Sequence, residues 1–241
     1  MRTLVSSTTS QGAASGSRWA PAHIGHRVAL FDLDRTLIAG SSLSAFGREL
    51  VRRGLIPRST VARHALVELA FQRRGVGAAR IDRLVSTLLD AAAGMPAEPL
   101  LDVARGMGQK LVAQVPPAAR FLMERHLETG DFCVILSASP HELVEAVSVQ
   151  LGAHRAVGTR IEVREGLLTG RLDGPFCYGT GKLDGLVREV GHIDLSTATA
   201  YADSGSDLPV LERCGTAVAV NPDAELRRWA TRVGWPVVRF S

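Results

Sequence analysis

Short apolar runs of strand length alternate with stretches of helical period along most of this chain. That alternation constrains the fold more than any other feature. Val28–Phe31 is the first run; Phe132–Leu136, 198–202, 216–220 and 236–240 follow. Helices are predicted after Pro116-Pro117 up to Thr129-Gly130, over 141–151, after Gly181, from about Asp207 and over 223–233. Strands alternating with helices imply a parallel sheet with right-handed crossovers, an α/β Rossmann-like core. Thr159–Val163 and Leu167–Leu172 flank Arg164-Glu165-Gly166 and predict a β-hairpin. Asn221-Pro222 reads as a helix cap with proline at the first helical position.

Residues 41–115 break the alternation, because no strand pattern occurs there. Ser41-Ser42 can cap a helix carrying Leu43, Phe46, Leu50 and Val51 that ends near Gly54. Pro57 opens a second, with Val61, Leu66, Leu69 and Ala70. Ile81, Leu84, Val85, Leu88 and Leu89 mark a third, closed by Gly94, and a fourth covers roughly Leu100 to Val115. The expectation is a helical bundle over 40–114 inserted into a core made of 26–39 and 115–241, preceded by a disordered tail over 1–25 rich in Ser, Thr, Gly and Ala. The insert holds ten arginines and one lysine against six acids, although the whole chain carries a formal charge of only +4. An Arg-rich solvated helical face accounts for this most simply, and attraction of an anionic substrate is a second reading.

Composition excludes several classes. With no run of ~18 apolar residues, a membrane span is not expected. The first residues lack the apolar segment of a secretory signal. Cys133, Cys177 and Cys214 are too few and too scattered for a disulfide framework or a zinc site. A cytoplasmic protein is the expectation. No nucleic-acid partner is expected, because the basic stretch has few aromatics and no reader motif.

Four segments at expected strand ends or helix starts carry chemistry. Asp32-Leu-Asp34-Arg-Thr36 places two carboxylates two residues apart, suited to nucleophilic attack, proton transfer and holding a divalent cation. Ser137-Ala138-Ser139-Pro140-His141-Glu142 follows an apolar strand; Ser139, Pro140 and Glu142 match a capping box, which sets Ser137 just before a helix N-terminus that favours anions. Gly179-Thr180-Gly181-Lys182 lets a compact cation approach closely, and Asp203-Ser204-Gly205-Ser206-Asp207 spaces two acids across a strand-to-helix turn. Taken singly, Asp34, Asp203 and Asp207 could cap turns or helices, Ser137 could be a turn serine and Lys182 a solvated residue. Their ordered occurrence at strand C-termini favours one site, where an α/β sheet has its ligand crevice.

This order of motifs resembles that of the haloacid dehalogenase (HAD) superfamily of phosphohydrolases. The insert resembles the C1-type helical cap of its phosphoserine phosphatase-like branch, subfamily IB. Further likeness lies in Ser41-Ser42, Phe176-Cys-Tyr-Gly-Thr-Gly-Lys182, Asp203-Ser-Gly-Ser-Asp-Leu-Pro209, Asn221-Pro-Asp223 and Gly234-Trp-Pro-Val237. The resemblance implies the HAD fold and a Mg²⁺-dependent phosphomonoesterase acting on a small phosphorylated substrate through an aspartyl-phosphate. It implies Asp32 as nucleophile and Asp34 as general acid and base. Mg²⁺ would be held by Asp32, the Asp34 carbonyl and Asp203. Ser137, Ala138, Lys182 and Ser206 would hold the phosphate, with Thr36 tying the loop and Asp207 orienting Lys182 or a water. Arg35, in the variable position of its motif, faces either substrate or solvent. In phosphoserine phosphatases of this branch a glutamate nine residues after the nucleophile binds the substrate ammonium. Ser41 stands there, Glu49 is the nearest acid, and Arg73, Arg74 and Arg80 are candidates to hold a carboxylate. Phosphoserine is therefore one candidate and not the favoured one. Two alternatives stay open: a phosphotransferase using the same intermediate, and a non-catalytic phospholigand-binding regulator.

Overall fold

The computed structural model describes residues 27–58 and 78–240, for 78–82 and 84 the backbone alone. A six-stranded parallel sheet is built from β1 (Val28–Asp32), β2 (Phe132–Pro140), β3 (Arg155–Thr159), β6 (Thr199–Ala202), β7 (Thr216–Val220) and β8 (Val237–Val238), in the order β3-β2-β1-β6-β7-β8. Counting only these strands gives 3-2-1-4-5-6, the doubly wound order, with β1 where the chain returns from one half-sheet to the other. Ligands bind at that switch point, outside the strand carboxyl ends. A separate hairpin pairs β4 (Ile161–Arg164) with β5 (Leu167–Leu172) antiparallel.

All five residues of β1 are buried, as expected of a central strand covered on both faces. Side chains alternate across the sheet. Ala29, Phe31, Cys133 and Ile135 join one core with Leu111, Met123, Leu143 and Val147; Val28, Leu30, Val134 and Leu136 join the other with Leu186, Leu211 and Leu226. The second core is roofed by α7 (Gly181–Val190), α8 (Leu208–Leu211) and α9 (Ala224–Val233). Helices α5 (Pro117–Glu128) and α6 (His141–Leu151) cover the first.

The segment between β1 and β2 is helical. Its helices are α1 (Ser42–Arg52), α2 (Ala78–Ala92), α3 (Ala97–Gly106) and α4 (Gly108–Val112). Ser41 caps α1, its hydroxyl accepting from the Ser44 amide at 3.2 Å. The expected second helix at Val61, Leu66, Leu69 and Ala70 lies outside the described residues, as does the tail over 1–25. The expected single helix from Leu100 to Val115 is two helices. The chain turns at Met107 between two glycines, and Gly108 packs so tightly on α6 that a Cβ there would sit 2.6 Å from the Ala146 carbonyl oxygen.

Other boundaries differ for physical reasons. Strand β2 runs on to Pro140, because after a register shift it pairs with Thr159 of β3. The capping box over Ser139, Pro140 and Glu142 therefore does not form: Pro140 is the N-cap of α6 and makes no side-chain cap bond. The expected strand Thr159–Val163 is divided at Arg160, where the chain leaves the main sheet for the hairpin, and Arg155–Thr159 is a sheet strand that sequence reasoning missed. Asp223, not Asn221, caps α9, accepting from the Leu226 amide at 2.7 Å. The last strand shortens to Val237–Val238. Among the described residues no helix is long and apolar enough to cross a membrane, and the three cysteines are free.

Candidate active site

Register brings the motifs together. Asp32 pairs with Leu136 across β1 and β2, and Phe31 with Tyr201 across β1 and β6. Ser137, next along β2, and Asp203, just past the end of β6, therefore lie beside the loop that follows Asp32. Lys182 arrives from the start of α7. Gly181 lets it do so: a Cβ there would lie 1.9 Å from the Phe176 carbonyl oxygen.

Asp32, Lys182, Asp203 and Asp207 are all buried. Lys182 Nζ donates to Asp32 Oδ1 at 2.7 Å, across 150 positions of sequence, and also contacts Asp207. Burial opposes the charge on Lys182, but Asp207 and Asp32 more than offset it and raise its pKa. Burial pushes Asp207 up to about 6 although Lys182 opposes this. Asp203 is raised well above the usual carboxylate range by burial, then by Asp32, with Arg35 pulling the other way.

The structure places Asp34 differently from the other acids. Its Oδ1 accepts from the Ser42 amide at 2.8 Å, so its carboxylate is held by the first turn of α1. That is a favourable place for an anion, because the first helical amides lack intrahelical partners. Arg35 is partly exposed to solvent, one of its two expected environments, and its Nε also lies 2.6 Å from Asp203 Oδ2, a contact not foreseen. The Thr36 hydroxyl is buried and has no hydrogen-bond partner among the described residues, so it does not tie the loop as expected. Asn221, read from sequence as part of a cap and of a family-like segment, fixes the loop. Its amide nitrogen donates to the Arg35 carbonyl at 3.0 Å, and its oxygen accepts from the Phe240 amide.

Ser137 is buried, and its hydroxyl accepts from the Ser139 amide at 3.1 Å. The Ala138 carbonyl accepts from the Thr159 hydroxyl at 2.8 Å. Ser139 and Ser42 share a buried hydroxyl contact of 2.6 Å, which joins this loop to the start of the insert. Ser206 turns to Ser204, at 3.1 Å between hydroxyl oxygens. Arg73 and Arg74 lie outside the described residues, and only the backbone of Arg80 is described.

Carboxylate oxygens of Asp32, Asp203 and Asp207 lie within 4.8 Å of one another, a set able to hold a metal ion. Hard oxygen donors of this kind suit Mg²⁺, Ca²⁺ or Mn²⁺ over softer metals. Asp32 Oδ2 is buried with no hydrogen-bond partner among the described residues. A buried carboxylate oxygen left so is costly unless a cation or reactant takes it up. The residues therefore fit a divalent cation. The Asp34 carboxylate is not part of this cluster, whereas Asp207 is.

The profile of haloacid dehalogenase-like hydrolases matches residues 29–212. A phosphoserine phosphatase of Mycobacterium tuberculosis is 34% identical over 239 residues, spanning 95% of this chain and 75% of that protein. A histidinol-phosphatase of Neisseria meningitidis is 31% identical over 220 residues, spanning 88% of this chain and 98% of that protein. A solved phosphoserine phosphatase, trapped as an analogue of its phospho-aspartyl intermediate, superposes with a TM-score of 0.64 at 16% identity, covering 90% of this chain and 94% of that one.

Proposed function

Because this chain belongs to the haloacid dehalogenase-like hydrolase family, we infer that it is a phosphatase whose strand-tip carboxylates hydrolyse a phosphomonoester of a small metabolite. The observation that carries this reading is the meeting of Asp32, Lys182, Asp203 and Asp207 in one buried cluster, although they lie far apart in sequence.

One oxygen of Asp32 is committed to Lys182 and the other is free for bond-making. Asp32 attacks phosphorus and the ester P–O bond breaks. Asp34 gives its proton to the leaving oxygen. Water then attacks the aspartyl-phosphate and passes a proton to Asp34, so that inorganic phosphate leaves and Asp32 is restored. Lys182 spreads the charge that builds on the phosphoryl oxygens, aided by Ser137, the Ala138 amide and Ser206. Asp207 keeps Lys182 charged and directed at Asp32. Mg²⁺, held by Asp32, Asp203 and the Asp34 carbonyl, would supply charge neutralisation between nucleophile and phosphate. The helical insert, expected over 40–114, is assigned to the cap role. The histidinol-phosphatase and phosphoserine phosphatase names of relatives support a small phosphorylated metabolite as substrate without selecting one.

The test is Asp32→Asn assayed with an aryl phosphate and Mg²⁺. Phosphate release should vanish while the far-UV circular dichroism and the melting transition persist. Turnover at the wild-type rate would remove Asp32 from the nucleophile's role.

A further inference from the structure

Arg35 combines three features that ordinary loop arginines lack. Its backbone is left-handed, with φ of 62°. That conformation is unfavourable for a side chain other than Gly, Asn or Asp and persists only where the surroundings impose it. Here they do: the Arg35 amide donates to the Gly40 carbonyl at 3.2 Å, and its own carbonyl accepts from Asn221. Finally, the guanidinium so aimed meets Asp203, with the Arg35 side chain 42% exposed and that of Asp203 4% exposed.

The charges divide cleanly. Lys182 compensates Asp32 and Asp207, and Arg35 compensates Asp203. A divalent cation drawing on Asp32 and Asp203 enters beside a carboxylate already paired with a guanidinium. The cation repels that group, and Asp203 Oδ2 cannot serve both fully. The geometry points to Arg35 as a resident counter-charge that competes with the divalent cation for Asp203 and so sets the metal affinity of the site. The inference rests on reading the acidic cluster as a cation site. Because the arginine side chain reaches solvent, it can yield to the cation, so binding is weakened and not blocked.

The experiment is calorimetric titration of Mg²⁺ into the metal-free, substrate-free wild type, Arg35→Asn and Arg35→Lys. Asparagine tolerates the left-handed backbone, so that variant removes the charge without straining the loop. Lysine keeps the charge. Arg35→Asn should bind Mg²⁺ about tenfold more tightly than wild type, equivalent to about 1.4 kcal/mol, whereas Arg35→Lys stays within about threefold of wild type, under 0.7 kcal/mol. Equal affinity in all three proteins, or an Arg35→Lys protein as tight as Arg35→Asn, overturns the competition while leaving the cation site intact. A wild type that takes up no Mg²⁺ overturns both this inference and the metal reading beneath it.

Discussion

Replacing Lys182 by Met removes the one ammonium buried among Asp32, Asp203 and Asp207 and keeps much of its volume. The loss can be sized in two independent ways. Removing one partner of a buried ion pair costs about 3–5 kcal/mol, because the other charge is left uncompensated. The carboxylates can instead escape by taking up a proton. For a group of ordinary pKa that costs about 5 kcal/mol at roughly pH 7.5 and about 2 kcal/mol at roughly pH 5.5, at about 1.36 kcal/mol per unit. The routes agree near neutral pH and differ in acid, where proton uptake is cheaper. In the variant the folded state binds more protons than the unfolded chain over this range, so its stability falls as pH rises. Urea unfolding of the metal-free proteins at the two pH values should show a deficit of about 3–5 kcal/mol at the higher and a clearly smaller one at the lower, where Asp207, raised to about 6, is already largely protonated in the wild type. In melting experiments the larger deficit is worth roughly 10 °C for a domain of this size. Saturating Mg²⁺ should return part of it by mass action, because the cation binds the folded state alone. A deficit below about 1 kcal/mol, typical of an exposed pair, or one independent of pH, would refute the coupling of Lys182 to buried ionised acids.

Two further outcomes follow from groups around the site. His141 is buried and held neutral with a pKa near 4, by burial and then by Arg160, whose guanidinium meets its Nε2. The unfolded chain takes up a proton near 6.5 and the folded protein only near 4, so stability falls as pH drops between those values, by at most about 3 kcal/mol; His141→Gln should flatten that slope in urea titrations, and an unchanged slope would place the titrating group elsewhere. Gly181→Ala would set a methyl 1.9 Å from the Phe176 carbonyl oxygen; since backbone cannot step aside cheaply, it should destabilise by about 1–3 kcal/mol or more and lower activity by displacing Lys182, with wild-type melting and turnover as the contrary result.

Much of the sheet was legible because its strands are short, β-branched runs that stand out against helical period. Arg155–Thr159 was missed since Ala156 and Gly158 carry no strand preference; it is a strand because β2 lies beside it. The acids and Lys182 were legible as separate strand-end residues, whereas their pairing was not. Nothing local in Asp32 announces a lysine 150 positions away. The Arg35–Asp203 contact was hidden for the same reason, at a separation of 168. Ser139 misled because a capping box is a local pattern, and here the cap competes with two tertiary claims: the strand continues through Pro140, and the Ser139 hydroxyl meets Ser42.

In the helical insert, the groups nearest the position of an ammonium-binding acid already have partners. Ser41, at the position where an ammonium-binding glutamate stands in phosphoserine phosphatases of this branch, spends its hydroxyl on the amide of Ser44. Glu49, the nearest acid, accepts from Arg52 and Arg53 and pairs with Lys110; hydrogen bonds from the two arginines hold it down to about 2. Its carboxylate is thus surrounded by cations, and an ammonium would have to displace one of them. A site that bonds a substrate's polar group rejects analogues lacking it by about 10⁴–10⁵, because its own buried groups are otherwise left unpaired. Glu49, already paired with three cations, is not such an unpaired acceptor. The exposed ends of Arg52, Arg53 and Lys110 add positive charge to this side of the insert.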